Sequence, residues 1–279
     1  MQAIDFHTHI FPDAMAQKTV QYLSEKNDMP LFANGTLLEL QAQMRQAEVC
    51  LSVVLPVLTR PQSFEGVLQF AQQLNEGYFK GEHSVYSFGC IHPDCEDVRG
   101  KMALMKQKGF RGVKIHPDYQ TTDIDDERNL AILQAAADED LIVVAHAGVD
   151  PGYSQSPRCT PQRIARALDR IKGEGKFVFA HMGGVNQYEE VLRYTAGRNV
   201  YFDTAYVIDK IDAETFHAIK NAHGIDRLLF ASDTPWVGAV TAKRALLSMN
   251  LTPEEEEKIL FTNALKLLGE DVVFRKESR

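Results

Sequence analysis

A (β/α)₈ barrel with an extra C-terminal helix is the fold class this sequence predicts, and three observations carry it. Eight short apolar, β-branched runs recur along the 279 residues, and amphipathic segments separate them. The runs begin at residue 3 and residue 228 at the extremes, a mean spacing of about 32 residues, which is the length of one strand–helix unit. Near-continuous apolar runs of this kind suit parallel strands buried on both faces. A doubly wound open sheet is the structural alternative, but no Gly-x-Gly-x-x-Gly follows the first run.

The elements follow in order. Strand 1 is Ala3 to His9, closed by Phe11-Pro12, and strand 2 is Cys50 to Leu55, closed by Pro56. Strand 3 covers Ser84 to Ile91 and strand 4 Phe110 to Ile115, each ending at a His-Pro pair. Strand 5 is Leu141 to His146, strand 6 Lys176 to His181, strand 7 Val200 to Asp203 and strand 8 Leu228 to Asp233. Helices are expected at Asp97–Lys108, Arg128–Asp138 and Thr160–Lys172, the last with Thr160 as N-cap and Pro161 at the first helical position. Gly109, Gly173 and Gly197 fall where helices should end. Thr252-Pro253 caps a final helix, Glu254 to Leu268, whose glutamate run suits a helix N-terminus. No linker or low-complexity stretch interrupts the alternation, so residues 1–279 read as one barrel domain.

Composition narrows the function classes. Thirty Lys+Arg against 38 Asp+Glu give a net charge of −8, which disfavours a nucleic-acid partner. No apolar run approaches the roughly 20 residues of a spanning helix, and the N-terminus lacks the basic and apolar regions of a signal peptide. Four cysteines without a Cys-x-x-Cys pair point to a reducing cytoplasm. A small-molecule substrate is the expected partner, with a homodimer as the base-rate assembly.

The chemistry lies in the histidines. In such a barrel the active site forms at the C-terminal ends of the strands. Five of the nine histidines lie at or just after such ends: His7, His9, His116, His146 and His181, and Asp233 ends strand 8. His7 and His9, two apart on one strand, point the same way. A lone His-x-His pair is weak evidence; joined to His146, His181 and Asp233 it is much stronger. Neutral imidazoles with a carboxylate suit Zn²⁺, though Mn²⁺ and Fe²⁺ fit the same donors. Such an ion turns a bound water into hydroxide near neutral pH, and a nearby His or Asp moves the proton. The set therefore suits metal-assisted attack on a carbonyl carbon.

At these residues the chain resembles the amidohydrolase superfamily, in particular its amidohydrolase-related (family 2) branch. The resemblance is carried by Asp5-Phe6-His7-Thr8-His9, Gly112-Val113-Lys114-Ile115-His116-Pro117, Ala145-His146-Ala147-Gly148 and Ala180-His181-Met182-Gly183-Gly184. It continues through Tyr201-Phe202-Asp203-Thr204, Ala231-Ser232-Asp233-Thr234-Pro235 and Asn263-Ala264. It implies that His7, His9, His146 and Asp233 ligate a divalent metal, zinc being the expected ion. It also implies that His181 and Asp233 are catalytic, with Asp233 as proton acceptor. Lys114 sits where binuclear members carry a carboxylated lysine, so Lys114 with His181 would hold a second ion; one ion is favoured. The implied activity is hydrolysis of an amide, lactone or related bond by metal-bound hydroxide. The alternative is a metal-dependent non-oxidative decarboxylase of the aminocarboxymuconate-semialdehyde decarboxylase type, and a non-catalytic binding protein on the same barrel is a more distant rival.

Other residues carry weaker expectations. His116 and Trp236 are candidates for substrate binding, as are the loop residues Arg158, Tyr153 and Tyr119 for an anionic substrate. Cys90 and Cys95 read as a buried strand thiol and a loop thiol rather than a second zinc site. His217 and His223 read as surface residues of an outer helix.

Overall fold

The computed structural model describes residues 1–77, 83–153 and 156–274. Among them, eight parallel strands run in sequence order: β1 (Ala3–Thr8), β2 (Val49–Val54), β3 (Ser84–Ser87, continued after Phe88 by Gly89–Cys90), β4 (Gly112–Ile115), β5 (Ile142–Ala145), β6 (Lys176–Phe179), β7 (Tyr201–Asp203) and β8 (Leu228–Leu229). The last strand returns to the first. Phe6 N–H donates to Phe230 O at 2.9 Å, Asp233 N–H to His7 O at 2.9 Å and His9 N–H to Thr234 O at 2.7 Å. The TIM-barrel reading of the sequence holds.

Alternation along the strands separates two cores. Ile4, Phe6, Leu51, Val53, Ile142, Val144 and Val178 fill the barrel interior, while Val113, Ile115, Val143, Ala145, Phe177 and Phe179 face the helices. Phe88 interrupts β3 because its ring turns inward, edge-on to Phe6 with centroids 5.9 Å apart. Gly112 leaves room for it: a Cβ there would meet the Phe88 ring and the Ile142 carbonyl at 2.5 Å. In β1 the register slips between Asp5 and Thr8, and beyond the slip His7 and His9 point into the barrel mouth. Such irregularities re-aim side chains beside active sites.

Strand 8 is shorter than its apolar run. Beyond Leu229 the backbone turns to side chains: Ala231 N–H donates to Thr204 Oγ1 at 2.9 Å and Ser232 N–H to Asp5 Oδ1 at 2.9 Å. Phe230 N–H goes instead to Ile259 O at 2.9 Å, in the C-terminal helix. Side-chain bonds thus supplement the backbone bonds that flank them at this end of the strand.

The helices are α1 (Asp13–Asn27), α2 (Leu37–Ala47), α3 (Phe64–Gly77), α4 (Val98–Gln107), α5 (Glu127–Asp138), α6 (Pro161–Leu168), α7 (Tyr188–Tyr194), α8 (Ala213–His223), α9 (Ala239–Leu247), α10 (Pro253–Glu257), α11 (Asn263–Leu268) and α12 (Glu270–Val273). Thr160 caps α6 by accepting from Arg163 N–H, as its sequence predicts. The helix nevertheless stops at Leu168, short of Lys172. Gln134 on α5 pairs with both the N–H and the C=O of Lys172, at 2.8 and 3.1 Å, and holds that backbone apart. Thr252 and Glu255 form a reciprocal capping box on α10, which passes through a π-helical turn, Lys258–Thr262, into α11. No helix among the described residues is long and apolar enough to cross a membrane.

His223 departs from expectation. It is buried, its ring stacked on Phe202 at 3.9 Å, with Gly197 N–H donating to Nδ1 and Nε2 bonded to Val200 O. Its helix packs this residue inward, so it is a core histidine. His217 is half-buried and bonds Met249 O at 2.7 Å. Cys90 and Cys95 are both buried free thiols, so the loop position of Cys95 does not expose it.

Candidate metal centre

β1 delivers His7 and His9 to the mouth, and each is fixed through Nδ1. His7 Nδ1 lies 2.9 Å from Asp203 Oδ2, and His9 Nδ1 lies 2.8 Å from the Leu55 carbonyl. A carboxylate and a carbonyl only accept, so both Nδ1 atoms carry the proton and both neutral rings present a lone pair at Nε2. Those Nε2 atoms are 3.2 Å apart. Asp233 Oδ1 sits 3.3 Å from His9 Nε2 and 3.5 Å from His7 Nε2. Two imidazole lone pairs and a carboxylate oxygen thus converge on one point.

The charges around them are displaced accordingly. Burial drives His7 well below its ordinary value, assisted by the Lys114 ammonium. Burial alone would raise Asp233, but His7, His9 and His181 outweigh it and hold the carboxyl well below the usual range. Lys114 is buried and pulled down to about 8 by desolvation, with Asp203 and Asp233 opposing. Its Nζ donates to His7 Nε2 at 2.9 Å. Asp203 also accepts from the backbone N–H groups of His181 and Ala205, at 2.8 and 3.1 Å, so it ties β1 to the ends of β6 and β7.

A second chain of imidazoles lies alongside. His181 Nδ1 bonds the Ala205 carbonyl at 2.9 Å and therefore carries the proton. Its Nε2 must then accept from His146 Nδ1, 2.9 Å away. That leaves His146 Nε2 as a buried lone pair with no hydrogen-bond partner among the described residues. His146 stacks on His116 at 4.2 Å and 9°. Tyr119 N–H approaches His116 Nδ1 at 3.4 Å, and His116 Nε2 faces Asp150 Oδ2 at 3.3 Å.

A divalent cation fits these donors. His7 Nε2, His9 Nε2 and Asp233 Oδ1 crowd three acceptors around one buried point, which positive charge relieves. The Lys114 ammonium does so in part, and a divalent ion held there would take its place on His7 Nε2. The donor atoms of His7, His9 and Asp233 lie within 4.8 Å of one another. Those of His116, His146 and Asp150 form a second group by the same measure. Of the ligands that the sequence suggested, His7, His9 and Asp233 therefore come together, while His146 groups with His116 and Asp150.

All these residues except Asp203 line one cavity of about 920 Å³ at the C-terminal ends of the strands. His181, Lys114, His116 and Trp236 also line it, as do Tyr119 and Tyr153. Arg158 does not: it pairs with Asp123 at 3.2 Å, which removes it as an anion-binding group of this site. A more open depression of about 600 Å³ between α7 and α8 holds none of the histidines. Sequence reasoning missed roles for Asp203 and Asp150. Asp203 ends a strand just as Asp233 does, and that position was the available signal. Asp150 sits in a loop, and only the fold pairs it with His116.

A family model described as amidohydrolase matches residues 4–269. No curated protein matches the sequence significantly. Among solved structures, an uncharacterized TIM-barrel protein from Bordetella bronchiseptica is similar at 18% identity and TM-score 0.71, covering 96% of this chain and 98% of that one. A 2,6-dihydroxybenzoate decarboxylase from Rhizobium matches at 18% identity and TM-score 0.67, over 97% and 100% of the two chains. An Acinetobacter baumannii protein described as a probable 2-pyrone-4,6-dicarboxylic acid hydrolase matches at 16% and 0.67, over 96% and 100%. Identities this low speak for the fold alone.

Proposed function

The chain belongs to the amidohydrolase family, and from that premise we propose that it is a zinc-dependent hydrolase acting on an amide, lactone or related carbonyl of a small molecule. The observation that carries the reading is the convergence of His7 Nε2, His9 Nε2 and Asp233 Oδ1 on one buried point. His7, His9 and Asp233 would hold the ion, while His146, the fourth ligand the resemblance implies, stands in the neighbouring group with His116 and Asp150. A divalent cation bound there supplies Lewis acidity to the attacking water and to the substrate's carbonyl oxygen.

The protein's own groups do the rest. Asp233, within 3.3 Å of His9 Nε2 and 3.5 Å of His7 Nε2, takes a proton from the water and passes it to the leaving group. His181, locked by Ala205 O and His146, faces the same cavity and orients the attacking water. Asp203 holds the His7 ring in the tautomer that binds. In the one-ion reading Lys114 stays an ammonium and would release His7 Nε2 to the ion; two ions per chain would instead assign it a carboxylated side chain.

The similar decarboxylase gives the rival reading. It would use the same ligands, with Lys114 as a donor on the cavity floor for protonation of carbon. Hydrolysis uses Asp233 as the acceptor of a water proton, and the two readings part at the product. The proposal extends to one barrel domain over residues 1–279, to a homodimer on base rate, and to a reducing cytoplasm, which the four free thiols suit. Zinc-loaded protein should turn over members of a panel of lactones, esters and amides, and Asp233→Asn should abolish that turnover. Release of CO₂ from aromatic acids with no hydrolysis would replace this reading by the decarboxylase.

A further inference from the structure

The cavity is far larger than the reacting centre needs, and its outer half differs in chemistry from its floor. The floor holds the histidines, Lys114, Asp150 and Asp233. From there the cavity runs outward between α1 and α3. Met15 and Leu23, two turns apart on α1, form one wall; Val67 and Phe70 on α3 form the other; Val57 lies after β2. α1 buries only Ala16, Val20 and Asn27, and Met15 remains 50% exposed. Gly66, on the α3 wall, is exposed at the cavity's lining, and a Cβ there would meet only open space. Thr19, Lys26, Arg60 and Gln62 share this half, so an apolar strip with polar neighbours continues from the charged floor and suits a ligand whose outer part is mainly apolar.

We propose that the substrate carries an extended apolar tail on its scissile carbonyl, an acyl chain or an arylalkyl group, seated between α1 and α3 with the carbonyl at the histidine floor. This rests on the hydrolytic reading for the identity of the reacting group, and on the channel itself for the tail. The occupant is argued from continuity: the residues of the channel and those of the metal centre line the same cavity. Each methylene taken from water into such a channel should tighten binding about fourfold until the channel is full.

Straight-chain methyl ketones test the tail without turnover, because they carry the carbonyl but no leaving group. Calorimetric titration of the full chain with 2-hexanone, 2-heptanone, 2-octanone and 2-decanone should show affinity rising about fourfold per methylene. The trend should persist after chelation, since the channel needs no ion. Gly66→Leu adds a side chain to the open space at this lining position of α3, where leucine is the better helix former. It should weaken 2-decanone at least tenfold and 2-hexanone much less, and Phe70→Asp should flatten the whole series. Affinity independent of chain length, or a trend untouched by Gly66→Leu in a folded variant, overturns the proposal. So does a dimer in light scattering that Phe70→Asp converts to monomer with no ketone bound, because the face would then be a subunit contact. Length-dependent ketone binding with no turnover of p-nitrophenyl esters supports the tail site and counts only against hydrolysis.

Discussion

His7 Nδ1 and Asp203 Oδ2 lie 2.9 Å apart with both side chains sealed from solvent, and this contact sets the direction in which the first histidine offers its lone pair. The carboxylate cannot donate, so the ring cannot invert its tautomer without losing the bond. Asp203→Asn puts an amide in that place, weakening the hold on the ring. Metal affinity should fall 10- to 100-fold, the usual consequence of removing such a partner. Competition against a chromophoric chelator measures it, and unchanged affinity would remove Asp203 from the design.

Ligand identity is tested by content. Wild-type protein prepared with zinc should hold about one ion per chain by elemental analysis, in line with a closed His and carboxylate set. Replacing His7 and His9 together with Asn should leave the protein folded and essentially metal-free. Stoichiometric zinc in that double variant would break the assignment. A second equivalent in the wild type would point to a carboxylated Lys114 or to the group of His116, His146 and Asp150.

His223 should make the protein acid-sensitive for reasons unrelated to the metal. Burial pushes its imidazole from the ordinary 6.5 down to about 4, with Arg227 adding to the effect. In the unfolded chain the ring protonates near 6.5, while the folded state refuses the proton until about pH 4. Stability present above pH 6.5 is therefore lost as pH falls through that window, by roughly 3 kcal/mol at most. Urea midpoints taken in chelator should fall more steeply from pH 6.5 to 4 for wild type than for His223→Gln. Parallel profiles would contradict the assignment.

Asn263 is a small side chain with a large structural duty. Its Nδ2 donates to the carbonyls of Ile225 and Leu228, both at 2.8 Å, and so ties α11 to the entrance of β8. Asn263→Ala leaves two carbonyls without their donor and should cost about 2 kcal/mol in urea unfolding. Metal content should be unaffected, because the contact lies at the opposite end of the strand from Asp233.

The repeat of apolar runs made the barrel legible, since parallel strands buried on both faces leave a signature that survives without any tertiary knowledge. Strand ends then located His7, His9, His181 and Asp233 in the mouth. What stayed hidden depends on contacts between distant segments. The length of β8 could not be read because side-chain bonds to Asp5 and Thr204 supplement the backbone bonds at its end. His223 looked superficial because only Phe202 and Val200, across a helix–strand contact, show it to be internal. The Asp150–His116 pair joins two loops whose approach no local pattern encodes. Arg158 misled for the converse reason: its loop does reach the active end, but its guanidinium turns to Asp123.

The seam between the first and last strands is also a matter of timing. Chains emerge from synthesis N-terminus first, so His7 and His9 are available long before Asp233 exists. The bonds that close the barrel, from Phe6 to Phe230 and from His9 to Thr234, flank the same residues that complete the donor set. Sealing the barrel therefore also completes the proposed donor set: before the last strand arrives, that set consists of the His7 and His9 pair alone.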